Sequence, residues 1–193
     1  MRSTVGCENA YARPATKRAT VPPVAAAANL KDPVKIAADE KARTQRAFET
    51  MSLHPATGRI VCAGWSEPDG SIRQTVCPDE MAEGAMLRRF WAAWEEAAAC
   101  GHPRVGFNAN FDLSFALIRS LLLEVDAPRV TLKKYGSPDV VDLMLELSFG
   151  VTDFKSLDFW TKRFRLTEIP DDTITGADIA GLVAQDTPEA WAA

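Results

Sequence analysis

The stretch VGFNANFDLSFALIRSLL, residues 105–122, restricts the fold more than any other part of the chain. It opens as a short apolar strand, RVGFN, breaks at Asn108, and continues as a helix with Phe111, Phe115, Ile118, Leu122 and Val125 on one face. A strand passing directly into a helix is the unit from which α/β sheets are built. Asp112 lies between Phe111 and Leu113 in the first helical turn. A carboxylate there either complements the helix dipole, by roughly 0.3–1 kcal/mol, or stands beyond a strand end, where α/β sheets hold their ligands. Asn108, at the junction, is expected to cap the helix backbone.

The flanking segments supply the rest of a sheet. HPATG is a turn that launches the strand RIVCAGWSE; PDGS at 68–71 is a hairpin signal, and IRQTVC is the returning strand. Asp79 reads as the N-cap of EMAEGAMLRRFWAAWEEAAAC, whose stripe of Met81, Met86, Leu87, Phe90, Trp91 and Trp94 is core rather than a binding platform. A hairpin followed by helix, strand and helix predicts a mixed α/β sheet with helices on its faces.

Toward the ends the signals thin out. Residues 13–30 mix Pro, Ala and Thr without periodicity and read as an extended connection. A surface helix runs from Pro33 to about Met51. VTLKKYGSPDVVDLMLELS holds an extended piece and then a helix from about Pro138, and Ser156 caps KSLDFWTKRFRL. TEIPDDTITGADIAGL is loop-rich, and Thr187, Pro188 and Glu189 start a helix without stop signals.

At 193 residues and 47% hydrophobic, the chain predicts one core. A net charge of −4 opposes coating duplex nucleic acid by bulk charge and leaves a local basic groove open. No run approaches the roughly 20 apolar residues of a membrane span, and the start lacks the basic-then-apolar pattern of a signal peptide. Four scattered cysteines, with no CxxC and only His54 and His102 beside them, predict neither a zinc site nor a disulfide framework. A reducing cytoplasm fits best.

One Asp cannot assemble a two-metal site, which pools several carboxylates. Asp142 in VVDLM and Asp158 in SLDFW, each flanked by apolar residues, are further candidates. With them a resemblance comes into view. VGFNANFDLSFAL resembles the N-x-x-F-D motif of DEDD-type 3′–5′ exonucleases, and VVDLMLELS followed by KSLDFWTKRFRL is similar to the stretch that succeeds it in relatives of the family-B DNA polymerase exonuclease domain. ANLKDPVKIAADEKA and HPATGRIVCAGW resemble the insert and second strand of that group, so the likeness runs from about residue 28 to 182.

The resemblance implies a ribonuclease H-like α/β fold, a mixed sheet flanked by helices, incomplete at both ends. Residues 1–27 would hold a degenerate first strand or an unordered start, and 28–193 the exonuclease domain, truncated at its C-terminus. It implies two Mg²⁺ or Mn²⁺ ions, single-stranded nucleic acid as substrate with DNA ahead of RNA, and DNA replication or repair proteins as partners. Asp112 would be a catalytic metal ligand, and Asn108, Phe111 and Phe107 would meet substrate. Trp160 would also line the strand channel, and Lys133, Lys134, Lys162, Arg163 and Arg165 would meet phosphates; core packing and solvated faces are the competing readings.

The chain departs from the family pattern at two places. The first-strand D-x-E falls on Gly6-Cys7-Glu8, with Gly in place of Asp, so Glu8 is the second expected catalytic metal ligand. FET at 48–50 mimics the motif but ends a polar, helical segment. The last motif, an Asp four residues after a Tyr or His, is absent. Of four expected carboxylates, Asp112 and Glu8 remain. The alternatives are therefore a metal-dependent exonuclease with an incomplete site, a non-catalytic nucleic-acid-binding or assembly module on the same fold, and an unrelated α/β protein in which Asp112 only starts a helix.

Overall fold

A computed structural model of the protein describes residues 3–6, 24–29, 31–134, 136–166, 185 and 187. Its centre is a five-stranded sheet in the order β3-β2-β1-β4-β5. The strands are β1 (Ser3–Gly6), β2 (Cys62–Ser66), β3 (Ile72–Val76), β4 (Arg104–Gly106) and β5 (Val141–Asp142). β2 is antiparallel to both β1 and β3, whereas β1, β4 and β5 run parallel. The sheet is therefore mixed, as the hairpin and the strand–helix units predict. Ser3–Gly6 occupies its middle.

The hairpin forms where PDGS places it. Glu67 N–H donates to Ser71 O at 2.8 Å and Gly70 N–H to Glu67 O at 2.9 Å, while Asp69 Oδ1 accepts Ser71 N–H. Gly70 takes φ +87°, a left-handed conformation that glycine enters without steric cost. β3 is an exposed edge strand in which Arg73, Gln74 and Thr75 stand between Ile72 and Val76.

Helix α2 (Glu80–Ala99) begins at Asp79, whose Oδ1 accepts Ala82 N–H at 2.7 Å. It ends at Gly101, where His102 N–H reaches back to Ala97 O and Gly101 N–H to Ala98 O. Its inward face carries Glu83, Gly84, Met86, Leu87, Phe90, Trp91 and Trp94. Met81, expected on that stripe, is 82% exposed. At 100° per residue it lies opposite Phe90, so only the later members of the stripe share a face.

Helix α3 (Ala109–Leu122) departs further from expectation. Its buried face is Ala109, Leu113, Phe115, Ala116, Arg119 and Ser120, while Ile118 and Leu122 are exposed and Phe111 is half-buried. The inward face contains two polar residues because both find partners. Arg119 is paired with Glu83 of α2, and the Ser120 hydroxyl accepts the Trp91 indole N–H at 2.7 Å. The core lies between these helices and β2, with Ile60, Val61, Ala63, Trp65, Val125 and Val140 closing it.

The remaining helices lie outside this core. α1 (Pro33–Thr50) is mostly exposed, as its thin apolar content predicts. The helix expected from Pro138 starts later. Pro138 and Asp139 form a bend, Val141–Asp142 pairs with β4, and α4 (Leu143–Glu146) starts from Asp142. α5 (Leu157–Arg163) is capped by Ser156, whose Oγ accepts Phe159 N–H at 3.2 Å. Among the described residues no helix is long and apolar enough to cross a membrane.

Candidate functional site

Because β1, β4 and β5 are parallel, their carboxyl ends share one pole of the sheet. Gly106 ends β4, and after two intervening residues α3 begins, so Asp112 stands one turn into the helix that rises from that pole. β1 pairs Ser3 with Arg104 and Thr4 with Val105. β1 ends at Gly6, so its carboxyl end lies at the same pole. Glu8 lies outside the described residues.

That turn is built unusually. Asn108 adopts φ 56°, ψ 35°, and its side chain makes no cap hydrogen bond, contrary to the expected capping role. The left-handed backbone is the reason: it is a conformation Asn tolerates better than most residues, and it turns the chain sharply from strand to helix. The main chain does the connecting instead. Asn108 O accepts Phe111 N–H at 3.0 Å, and Asn108 N–H donates to Asp142 Oδ1 at 2.8 Å. Asn110 Nδ2 donates to Lys133 O at 2.7 Å and ties the helix start to the following loop.

Asp142 comes to this pole because β5 pairs with β4, setting Asp142 opposite Gly106. Its Oδ1 also accepts Met144 N–H at 3.1 Å, which caps α4. The residue is 4% exposed, and Oδ2 is buried without a hydrogen bond. A dry carboxylate oxygen is costly, so the arrangement needs a compensating partner or a reason to persist. The sequence signal was the acid in VVDLM; what it lacked was any indication that this strand lies next to β4.

The other candidates distribute differently. Asp158 sits on exposed α5 and pairs with Lys162 at 2.9 Å, so it forms a solvated i,i+4 pair. Phe107, Asn108, Phe111 and Asp112 are half-buried at the pole. Phe111 packs against the core, with its ring 6.2 Å from that of Phe115. Trp160 is half-buried and stacks on Phe164 at 5.4 Å; Lys133, Lys134, Lys162, Arg163 and Arg165 are exposed. Among the described residues no three His, Cys, Asp or Glu side chains gather into a metal group.

A groove lined by Trp65, Ser66, Phe90, Trp94, Cys100 and His102 lies at the other end of the sheet, beside the amino end of β4. Its aromatic floor is the core stripe of α2, and Arg104 lies 4.5 Å above the Trp94 ring.

The fold and this pole define a mixed α/β protein with a strand–turn–helix unit that carries half-buried Asp112, its Asn108 turn hydrogen-bonded to the buried acid Asp142. The chain matches no family model, no curated protein and no solved structure.

Proposed function

We propose that the protein is a 3′–5′ exonuclease-like domain of ribonuclease H-like fold that acts on single-stranded nucleic acid ends, DNA ahead of RNA. One observation carries this reading: Asp112 rises from the carboxyl end of β4, directly beside the central first strand on which the resemblance puts the other acidic pair. The mixed sheet flanked by α2 and α3 is also what such a fold requires.

Carboxylate oxygens suit Mg²⁺ or Mn²⁺, and a buried acid oxygen without a hydrogen bond, Asp142 Oδ2, is at the same pole, as a cation site would leave it. Asp112 would hold such an ion through oxygen, with Glu8 as the family-implied second ligand. The chemistry supplied by the ions is a water made nucleophilic at neutral pH and neutralisation of charge on the scissile phosphate. Phe107, Asn108 and Phe111, half-buried around the turn, would position the terminal nucleotide.

A second reading has its own support. Gly6 stands where the first carboxylate is expected, and an incomplete ligand set leaves a cation loosely held. On that ground the domain would bind single strands or assemble with replication or repair proteins without cutting.

A 5′-labelled single strand tests both. The exonuclease reading expects stepwise shortening from the 3′ end with Mg²⁺ or Mn²⁺, none with chelator, none in Asp112→Asn, and faster shortening in Gly6→Asp. Retained binding with no shortening, even in Gly6→Asp, selects the binding module. Absence of both binding and shortening removes the nucleic-acid reading altogether.

A further inference from the structure

We propose that Asp142 supplies, together with Asp112, the carboxylate oxygens of a divalent-cation site at the carboxyl ends of β4 and β5. The inference deepens the reading above and rests on its placement of the site. It assigns a ligand to a residue outside the motif acids of the resemblance.

The argument begins with what Asp142 already does. Oδ1 accepts two main-chain N–H groups, from Asn108 and Met144, and so joins the start of α3 to the start of α4. That accounts for one oxygen. Capping α4 requires no more, and a helix of four residues gives little reason to bury an acid. The other oxygen is buried without a hydrogen bond in a residue only 4% exposed. A carboxylate is costly to bury with one oxygen bare. A bound cation resolves that conflict.

Helix geometry brings Asp112 to the same place. Residues four apart lie one above the other on a helix face, and side chains lean toward the N-terminus. Asp112, in the first turn of α3, therefore leans back toward the start of the helix, where the Asn108 N–H donates to Asp142 Oδ1. The two acids arrive from different elements, α3 and β5, and the Asn108 N–H to Asp142 Oδ1 bond ties the start of α3 to β5. Two carboxylates suffice for an ion such as Mg²⁺, which commonly keeps several waters and completes its shell with phosphate oxygens. The site would in part replace the carboxylate missing at Gly6.

Mn²⁺ binding to the full chain, followed by isothermal titration calorimetry and by loss of the free-ion paramagnetic resonance signal, is the test. Asp142→Asn is the informative variant. Its amide oxygen can still accept from Asn108 and Met144, while nitrogen replaces Oδ2. Wild type should bind Mn²⁺, and Asp142→Asn should bind at least about tenfold more weakly, with an unchanged near-ultraviolet circular dichroism spectrum. Asp112→Asn should weaken binding similarly, and the double variant no more than about twice as much in free energy. Mn²⁺ affinity unchanged in Asp142→Asn, or no wild-type binding at millimolar Mn²⁺, overturns the proposal. Asp142-dependent binding without strand shortening would remove the exonuclease reading alone. Strand shortening with Asp142-independent binding would remove this inference alone.

Discussion

Arg119 and Glu83 meet inside the protein through two parallel hydrogen bonds, Nε to Oε1 at 2.8 Å and Nη2 to Oε2 at 2.7 Å. Glu83 is fully buried and Arg119 5% exposed. Glu83 Oε1 also accepts Ile60 N–H at 2.8 Å, so one carboxylate joins α2, α3 and the approach to β2. Burial disfavours the guanidinium charge, and the Glu83 carboxylate outweighs that, raising the Arg119 pKa above its ordinary value. The pair sets how α3 packs, and α3 carries Asp112.

Removing one partner should therefore be expensive. Arg119→Met leaves a buried carboxylate uncompensated and should lower stability by about 3–5 kcal/mol in urea denaturation. Adding Glu83→Leu to that variant should recover part of the loss, because the stranded charge goes with it. A double variant less stable than Arg119→Met would show that the Ile60 N–H contact outweighs the charge.

Ser120→Ala should cost about 1–3 kcal/mol, since it strands the buried Trp91 indole N–H now held at 2.7 Å. Intrinsic tryptophan fluorescence followed through denaturant unfolding measures the loss.

At the start of α2, Asp79→Ala should lower stability by about 0.5–2 kcal/mol, the usual range for a lost N-cap. Asp79→Asn should recover most of it, because its side-chain oxygen can still accept Ala82 N–H. Thermal melts of the three proteins decide this.

Cys77 should make the protein sensitive to alkali. Burial, and next the Glu83 charge, raise its pKa from 9.0 to about 12. The folded state thus favours the neutral thiol. Its contribution is whole below about pH 9 and is lost as pH rises toward about 12. Urea midpoints taken from pH 8 to 11 should fall more steeply for wild type than for Cys77→Ala. In the native protein at pH 8, exposed Cys100 should react with a thiol reagent well before Cys77.

Asp112→Asn should separate stability from function. As an acid in the first turn of α3, Asp112 should contribute only about 0.3–1 kcal/mol to folding. Strand shortening and Mn²⁺ binding should nonetheless be lost or strongly weakened in the same variant. Both properties unchanged would leave Asp112 as a helix-start residue and nothing more.

Much of this architecture was legible wherever a signal is local. The PDGS turn, the caps at Asp79 and Ser156, and the burial of Trp91 and Trp94 follow from chemistry within a few positions of chain. Where the structure differed, distant partners were responsible. Arg119 and Ser120 face inward because Glu83 and Trp91 wait for them, which hydropathy along α3 cannot register. The helix expected from Pro138 gave way to β5 because β4 was free to pair with Val141 and Asp142.

For the site, the amino-acid order alone determined that an acid follows Phe111 just after a strand-to-helix turn. It also determined that Gly6 offers no carboxylate. Only the tertiary structure decided which residues stand around that acid. Strand order is a long-range property, set by which edges find one another after the chain collapses. It brought β1 beside β4 and set Asp142 against the Asn108 turn, 34 positions away along the chain.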